Sequence, residues 1–279
     1  MNLGYHCNRL NHVEDRVVGL GLDRGEFYNL EPRHEGTISH LVRAHRLKAS
    51  IHCPLVMLEW YPTPPTWAFL CDRDPDRRLL NLRMIQDTLE RAGDLGAEYV
   101  VAHFPSPDST GAILSHEEAR HIAWRSAEDL ARLSYRHGLP IHIEGFGPSP
   151  LLVPDFLAEV VEQFPPLRYC FDTGHMSIAA RRDGFDYFAF AQAMAPHIGS
   201  IHLWNTRGMA DYQAFRHIPV HPCQKPEAGW VDVPRVLTVL RSQYPDVPVI
   251  LESASKYPDA LGDYDIRDGV AWIRQLLAT

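Results

Sequence analysis

Six short segments of the sequence end in an imidazole or a carboxylate: "ASIHCP" (49–54), "VVAHFP" (100–105), "PIHIEGF" (140–146), "YCFDTGH" (169–175), "SIHLWN" (200–205) and "VILES" (249–253). The side chains concerned are His52, His103, Glu144, Asp172, His202 and Glu252. One at a time, each has an ordinary explanation, because an Asp caps a helix and a His satisfies a carbonyl. Together they describe a different chemistry. Three carboxylates brought to one place without a cation repel one another and stay partly protonated. A divalent ion removes that conflict, and a mixed imidazole and carboxylate set suits zinc, manganese or a similar metal. His175, three residues beyond Asp172, is near enough in sequence to join them.

These residues need a frame that faces them toward one another, and the order of elements supplies one. Short β-rich runs occur at 2–6, 19–25, 48–54, 99–105, 140–146, 168–174, 199–205 and 248–254. Helical patterns separate them. Leu82, Ile85, Leu89 and Ala92 recur at helical spacing before a stop at Gly96, and "SHEE" (115–118) is a capping-box signature opening a helix that runs to Gly138. Segments 153–163, 185–195, 232–243 and 266–277 also read as helices. Eight strands alternating with helices over this length predict a single-domain (β/α)8 TIM barrel spanning 1–279. A doubly wound open sheet is the competing arrangement, but no GxGxxG or P-loop follows the first strand.

In a barrel, alternate residues of each strand point inward and chemistry gathers at the C-terminal ends. That parity turns Ser50 and His52, Val101 and His103, His142 and Glu144, Cys170 and Asp172, Ser200 and His202, and Ile250 and Glu252 toward the axis. His142 lies one layer beneath Glu144 and reads as a supporting group rather than a ligand.

Composition narrows the function classes. Hydrophobic residues make up 45% of the 279, enough for a sizeable core, and no apolar run is long enough to span a bilayer. A net charge of −8 disfavours non-specific attraction to nucleic acid or anionic lipid. The five cysteines form no CxxC pair, which argues for a reducing compartment. The N-terminus "MNLGYHCNRLNH" has no secretory pattern, so a cytoplasmic protein is expected.

With "YCFDTGH", "SIHLWN", "IHIEG" and "VILES" on nearly the whole length of the barrel, the chain resembles the xylose isomerase-like TIM-barrel superfamily. That superfamily includes sugar isomerases, sugar epimerases and endonuclease IV. Resemblance to the epimerases implies one metal held by Glu144, Asp172, His202 and Glu252. It also implies that Glu144 and Glu252 move a proton on and off a carbon beside a carbonyl, with His175 and Arg207 gripping the substrate. Resemblance to endonuclease IV implies three zinc ions instead. His52 and His103 would be the extra ligands, Glu144 and Asp172 would bridge, and His175 would join the third site. The Asp-x-His pair that completes that site is replaced here by "RHIPVHPCQ" (216–224), which offers His217, His221 and Cys223; His217 and His221 could equally sit on a lid and touch substrate.

Two long connections, 58–76 and 205–230, are where a barrel enzyme builds its substrate site. The first carries Trp60, Tyr61 and Trp67, which could wall a sugar face, stack on an abasic gap, or cover the mouth of a neighbouring subunit in a homo-oligomer. The acidic charge and the lack of a Lys/Arg-rich loop favour a small substrate over duplex DNA. The sequence therefore predicts a divalent-metal-dependent isomerase or epimerase of a sugar, sugar phosphate or related polyol, using one zinc or manganese ion. The alternative is a di- or trinuclear zinc phosphoester hydrolase.

Overall fold

Parallel strands β1 (Leu3–Cys7), β2 (Arg24–Phe27), β3 (Lys48–His52), β4 (Ala97–His103), β5 (Ile141–Glu144), β6 (Leu167–Asp172), β7 (Ile198–Leu203) and β8 (Val249–Leu251) pair in chain order. β8 returns to β1, which closes the barrel. The computed structural model describes residues 2–62, 64, 65, 68, 70–105 and 115–278. Nine α-helices occur among them: α1 (Glu35–Ala44), α2 (Pro75–Leu95), α3 (His116–His137), α4 (Pro154–Gln163), α5 (Thr173–Asp183), α6 (Tyr187–Met194), α7 (Met209–Phe215), α8 (Val233–Leu240) and α9 (Ile266–Ala278). None of the described helices is long and apolar enough to cross a membrane.

Strand parity divides the apolar residues into two sets. Ile51, Val100, Ile143, Phe171 and Ile201 pack in the large core shared with the helices. Tyr99, Val101 and Cys170 form a separate small cluster, the apolar part of the barrel interior. The strands are thus buried on both sides, as a parallel barrel requires.

The expected helix boundaries hold where local chemistry sets them. Ser115 accepts from the Glu118 backbone N–H, and the Glu118 carboxylate accepts in return from that of Ser115, a reciprocal cap on α3. Gly96 and Gly138 end α2 and α3 at φ 69° and 62°, a conformation that glycine adopts without a Cβ clash.

Several boundaries differ from the expectation by a few residues, and three of them bear on the site. The second strand starts at Arg24 rather than 19, because 19–22 close the preceding turn: the Gly19 and Leu22 backbone N–H groups donate to Glu14 and Val17 carbonyls at 2.8 and 2.7 Å. The glycine alternation of "GLGLDRG" imitates a strand while serving that turn. The sixth strand stops at Asp172, whose side chain accepts from the His175 N–H at 2.6 Å and starts α5 without a loop. β8 ends at Leu251, leaving Glu252 as the first residue past the strand.

Gly174 in the first turn of α5 is a close-packing position, since a Cβ there would lie 2.3 Å from Cε2 of Trp204. Gly174→Ala is therefore expected to cost about 2 kcal/mol or more and to lower the thermal midpoint. Gly93→Ala in α2, where a Cβ meets nothing within 4 Å, should be neutral or stabilising by about 0.5–1 kcal/mol in the same melt.

Candidate functional site

The rim of the barrel gathers the residues singled out by the strand ends. His103 and Glu144 are direct register partners across β4 and β5, and Asp172 and His202 across β6 and β7. One donor atom from each of Glu144, Asp172, His202 and Glu252 lies within 4.8 Å of all the others. His52, His103 and Glu144 form a second such group, sharing Glu144 with the first.

His202 is the hub. Its Nδ1 lies 2.8 Å from Glu252 Oε2 and 3.5 Å from Glu144 Oε1, while its Nε2 lies 2.7 Å from Glu26 Oε1. These are close approaches rather than hydrogen bonds. Among the described residues, both His202 nitrogens, Glu26 Oε1 and Glu252 Oε2 are buried without a hydrogen-bond partner. Buried polar atoms left in this way are costly. A cation held with Glu144 and Asp172 would satisfy His202 Nδ1 and Glu252 Oε2, while His202 Nε2 and Glu26 Oε1 face each other on the far side of the ring. The donor set, three carboxylates and an imidazole, is one that a divalent ion accepts. The residues present fit a metal.

The electrostatics agree. Burial, followed by the charges of Glu252 and Glu144, pushes the Asp172 carboxyl up to about 7. Burial works in the same direction on Glu144 and Glu252, yet the adjacent His202 pulls both below the ordinary carboxylate range. His202 is itself driven well above the imidazole range, against its burial, by Cys170, Glu26, Glu144 and Glu252. The cluster thus cannot carry all its negative charge at once without a positive partner.

Asp172 is held by two donors besides. Its Oδ1 accepts from the His175 N–H and its Oδ2 from Trp204 Nε1–H at 2.8 Å. Each oxygen keeps a second lone pair. Asp172 is thus the N-cap of α5, which does not exclude a ligand role.

Above the cluster lies a cavity of about 360 Å³. Glu144 and Glu252 reach it, as do five imidazoles: His6, His52, His103, His175 and His217. Burial lowers His6 and His103 to about 4, and lowers His175 and His217 as well. His52 is raised against its burial by Glu144, whose Oε2 it meets at 3.1 Å. His175 enters none of the donor groups found among the described residues; its ring packs against Phe146, Trp204, Tyr212 and His217.

Other expected site residues lie elsewhere. Arg207 gives its guanidinium to Asp211, at 2.7 and 2.9 Å, and sits over the Trp230 ring instead of lining the cavity. His221 is buried beside Tyr257 and Tyr264, its Nδ1 accepting from the Cys223 N–H at 3.2 Å, and joins none of the donor groups found among the described residues. Its loop turns away from the axis after His217. Trp60 packs on the core beneath Arg83, outside the cavity lining. Trp67 lies outside the described residues. All five cysteines are free thiols.

Beyond the cavity-lining Tyr28, Phe146, Tyr212 and Arg216, two ionisable residues beside the His202 cluster have no counterpart in the sequence reading. Glu26, fully buried on β2, accepts from Ser50 Oγ at 3.0 Å and faces the His202 nitrogen that points away from Glu252. A strand over 19–25 leaves Glu26 in a loop; the strand that forms, from Arg24, gives it inward parity with Arg24. His6 on β1, register partner of Glu26, shares that parity and is visible as such in the sequence.

The family model for the xylose isomerase-like TIM barrel matches residues 16–276. Among solved structures, a D-tagatose 3-epimerase-like protein is 16% identical with a TM-score of 0.73, over 100% of this chain and 97% of its own. A Thermus thermophilus protein from crystals soaked with zinc chloride is 23% identical, with a TM-score of 0.59 over 99% and 98%. Endonuclease IV from Thermus thermophilus is 18% identical, with a TM-score of 0.58 over 100% and 98%. At such identities the likeness shows the fold alone. No curated protein sequence matches the chain.

A carboxylate on the remote nitrogen of a metal-binding imidazole orients the ring and raises its basicity. Glu26→Gln is accordingly expected to weaken divalent-metal affinity about tenfold or more while the far-ultraviolet circular dichroism stays that of the barrel. Unchanged affinity in a competitive chelator titration would reduce Glu26 to a packing role.

Proposed function

We propose that this chain, which belongs to the xylose isomerase-like TIM-barrel family, is a divalent-metal-dependent isomerase or epimerase. Its substrate would be a sugar, sugar phosphate or related polyol, with a proton moved at a carbon beside a carbonyl. One observation carries the reading: Glu144 and Glu252, both open to the cavity, belong to the same donor group as Asp172 and His202. A divalent ion bound there supplies Lewis-acid polarisation of neighbouring substrate oxygens.

The chain's own residues account for the rest. Glu144 and Glu252 are both held below the usual carboxylate range, so each starts as a base near neutral pH. One accepts the proton from the substrate carbon and the other returns a proton to complete the exchange. His6 and His103, lowered to about 4 by burial, are neutral there and can donate to or accept from substrate hydroxyls. Phe146, Tyr28 and Tyr212 line the cavity with aromatic faces against which a sugar ring can lie.

A second reading has its own observation. His52 and His103 direct Nε2 toward the same Glu144 oxygen, at 3.1 and 3.7 Å, and are surplus to a one-metal site. A second ion there would suit a phosphoester hydrolase, since paired metals stabilise the entering and leaving oxygens together. With His175, His217, His221 and Cys223 in none of the donor groups found among the described residues, this reading extends to two ions rather than three.

Metal content separates the two. After loading and desalting, elemental analysis is expected to find one ion per chain; two or three tightly held zinc ions would overturn the isomerase reading. Glu252→Gln should abolish solvent-deuterium incorporation into substrate, and persistent incorporation would remove Glu252 from the proton-transfer role. His52→Ala should leave the stoichiometry at one. A drop from two to one, together with lost phosphodiesterase activity on bis(p-nitrophenyl) phosphate, would establish the hydrolase instead.

A further inference from the structure

The cavity that holds so many imidazoles has a single permanent positive charge among its described lining residues, Arg216. Its situation differs from that of Arg207. The Arg207 fork is saturated by both oxygens of Asp211. Arg216 makes no ion pair among the described residues. Its guanidinium lies over the Tyr212 ring, 5.6 Å from the centroid, beside that residue's hydroxyl. A guanidinium held by a ring face is steadied without a carboxylate, so most of its planar N–H fork remains available to an oxyanion.

The ledge beneath it is built. Tyr212 stacks on His217 at 5.7 Å between ring centroids, and His217 stacks on the fully buried Trp204 at 4.3 Å. Trp204 is in turn fixed by its indole N–H on Asp172. Two backbone hydrogen bonds hold the following segment: the Ala254 N–H donates to the His217 carbonyl at 2.9 Å and the Asn205 N–H to that of Ile218 at 3.0 Å. Where α7 ends, Arg216 takes φ 61° and ψ −136°, a backbone conformation that L side chains rarely adopt. That turn sends two consecutive side chains, Arg216 and His217, to the cavity lining.

Building on the sugar reading, we infer that Arg216 forms an anion subsite at the mouth of the cavity, and that the substrate is an acidic sugar or polyol bearing a phosphate or carboxylate. The guanidinium takes the anionic end in a forked hydrogen bond, and the rest of the molecule reaches inward to Glu144 and Glu252. An uncharged sugar offers this group only single, weaker hydrogen bonds to neutral hydroxyls. A guanidinium with a free fork recognises phosphate and carboxylate by the same geometry, so the two sources are separated by experiment.

The test is calorimetric titration of manganese-loaded wild type, Arg216→Gln and Arg216→Lys with D-fructose, D-fructose 6-phosphate and D-gluconate. Wild type is expected to bind one of the two anions about ten- to a hundredfold tighter than fructose. Which anion gains identifies phosphate or carboxylate. In Arg216→Gln the ratio of anion to fructose affinity should fall toward one, and Arg216→Lys should keep part of it. Equal affinities in wild type, or a ratio that survives Arg216→Gln, would overturn the subsite. Should none of the three bind, the sugar reading fails; inorganic phosphate in the same cell then decides the subsite alone, supporting it if Arg216→Gln weakens binding and overturning it if not.

Discussion

The constraint on which the structure turns is the confinement of Glu26, Glu144, Asp172 and Glu252 around one buried imidazole, His202. Four carboxylates near one another and largely out of water repel, and each loses hydration that one ring cannot replace. The chain manages this by dividing the labour. Glu26 takes one side of His202, and Glu252 and Glu144 the other. Asp172 is pinned by a helix N-terminus and an indole N–H, and its carboxyl is pushed to about 7. What remains is a demand for positive charge among these groups, which a bound cation could meet.

Closure of the sheet makes such confinement tolerable. Eight strands joined edge to edge have no free edge, so the rim residues hang from a frame with little room to relax. A polar layer supports them from below. His142 meets Ser200 Oγ at 2.9 Å and stacks on Tyr99 at 4.1 Å. Arg24, also fully buried, lies over the other part of that environment, 5.6 Å from the Tyr99 ring, and reaches Glu98. His142, lowered to about 3 by burial, is neutral and serves as a hydrogen-bonding strut.

The loops divide differently. Those that carry chemistry are tied to the rim: α5 begins on Asp172 itself, and the segment after α7 returns through Arg216 and His217 to lie against Trp204. The later part of the same connection turns outward, where Asn205 receives the Val231 N–H and bonds Gln224, locking residues 221–231 against the barrel flank. One long loop thus makes both a cavity wall and a brace. This explains why His217 faces the cavity while His221, four residues on, is enclosed between two tyrosines.

Residues that respond to local rules were legible from the chain alone. The two-residue period of a strand assigns His52, His103, Glu144, Asp172 and His202 to the inner face, and the capping box at Ser115 and the glycines at 96 and 138 mark helix ends by backbone chemistry. The eightfold alternation implied closure, and closure implied convergence. What local pattern does not encode is distance between elements. Glu26 was hidden because glycines at 19–25 satisfy a turn and a strand pattern alike, and only pairing with β1 and β3 decides between them. The resemblance pointed to Arg207 and passed over Arg216; in the fold Asp211, one helical turn from Arg207, captures the first, and the backbone reversal at Arg216 brings the second to the cavity lining. Strand periodicity is a property of neighbouring residues, whereas the partner of a charge depends on which distant segments the folded chain packs beside it.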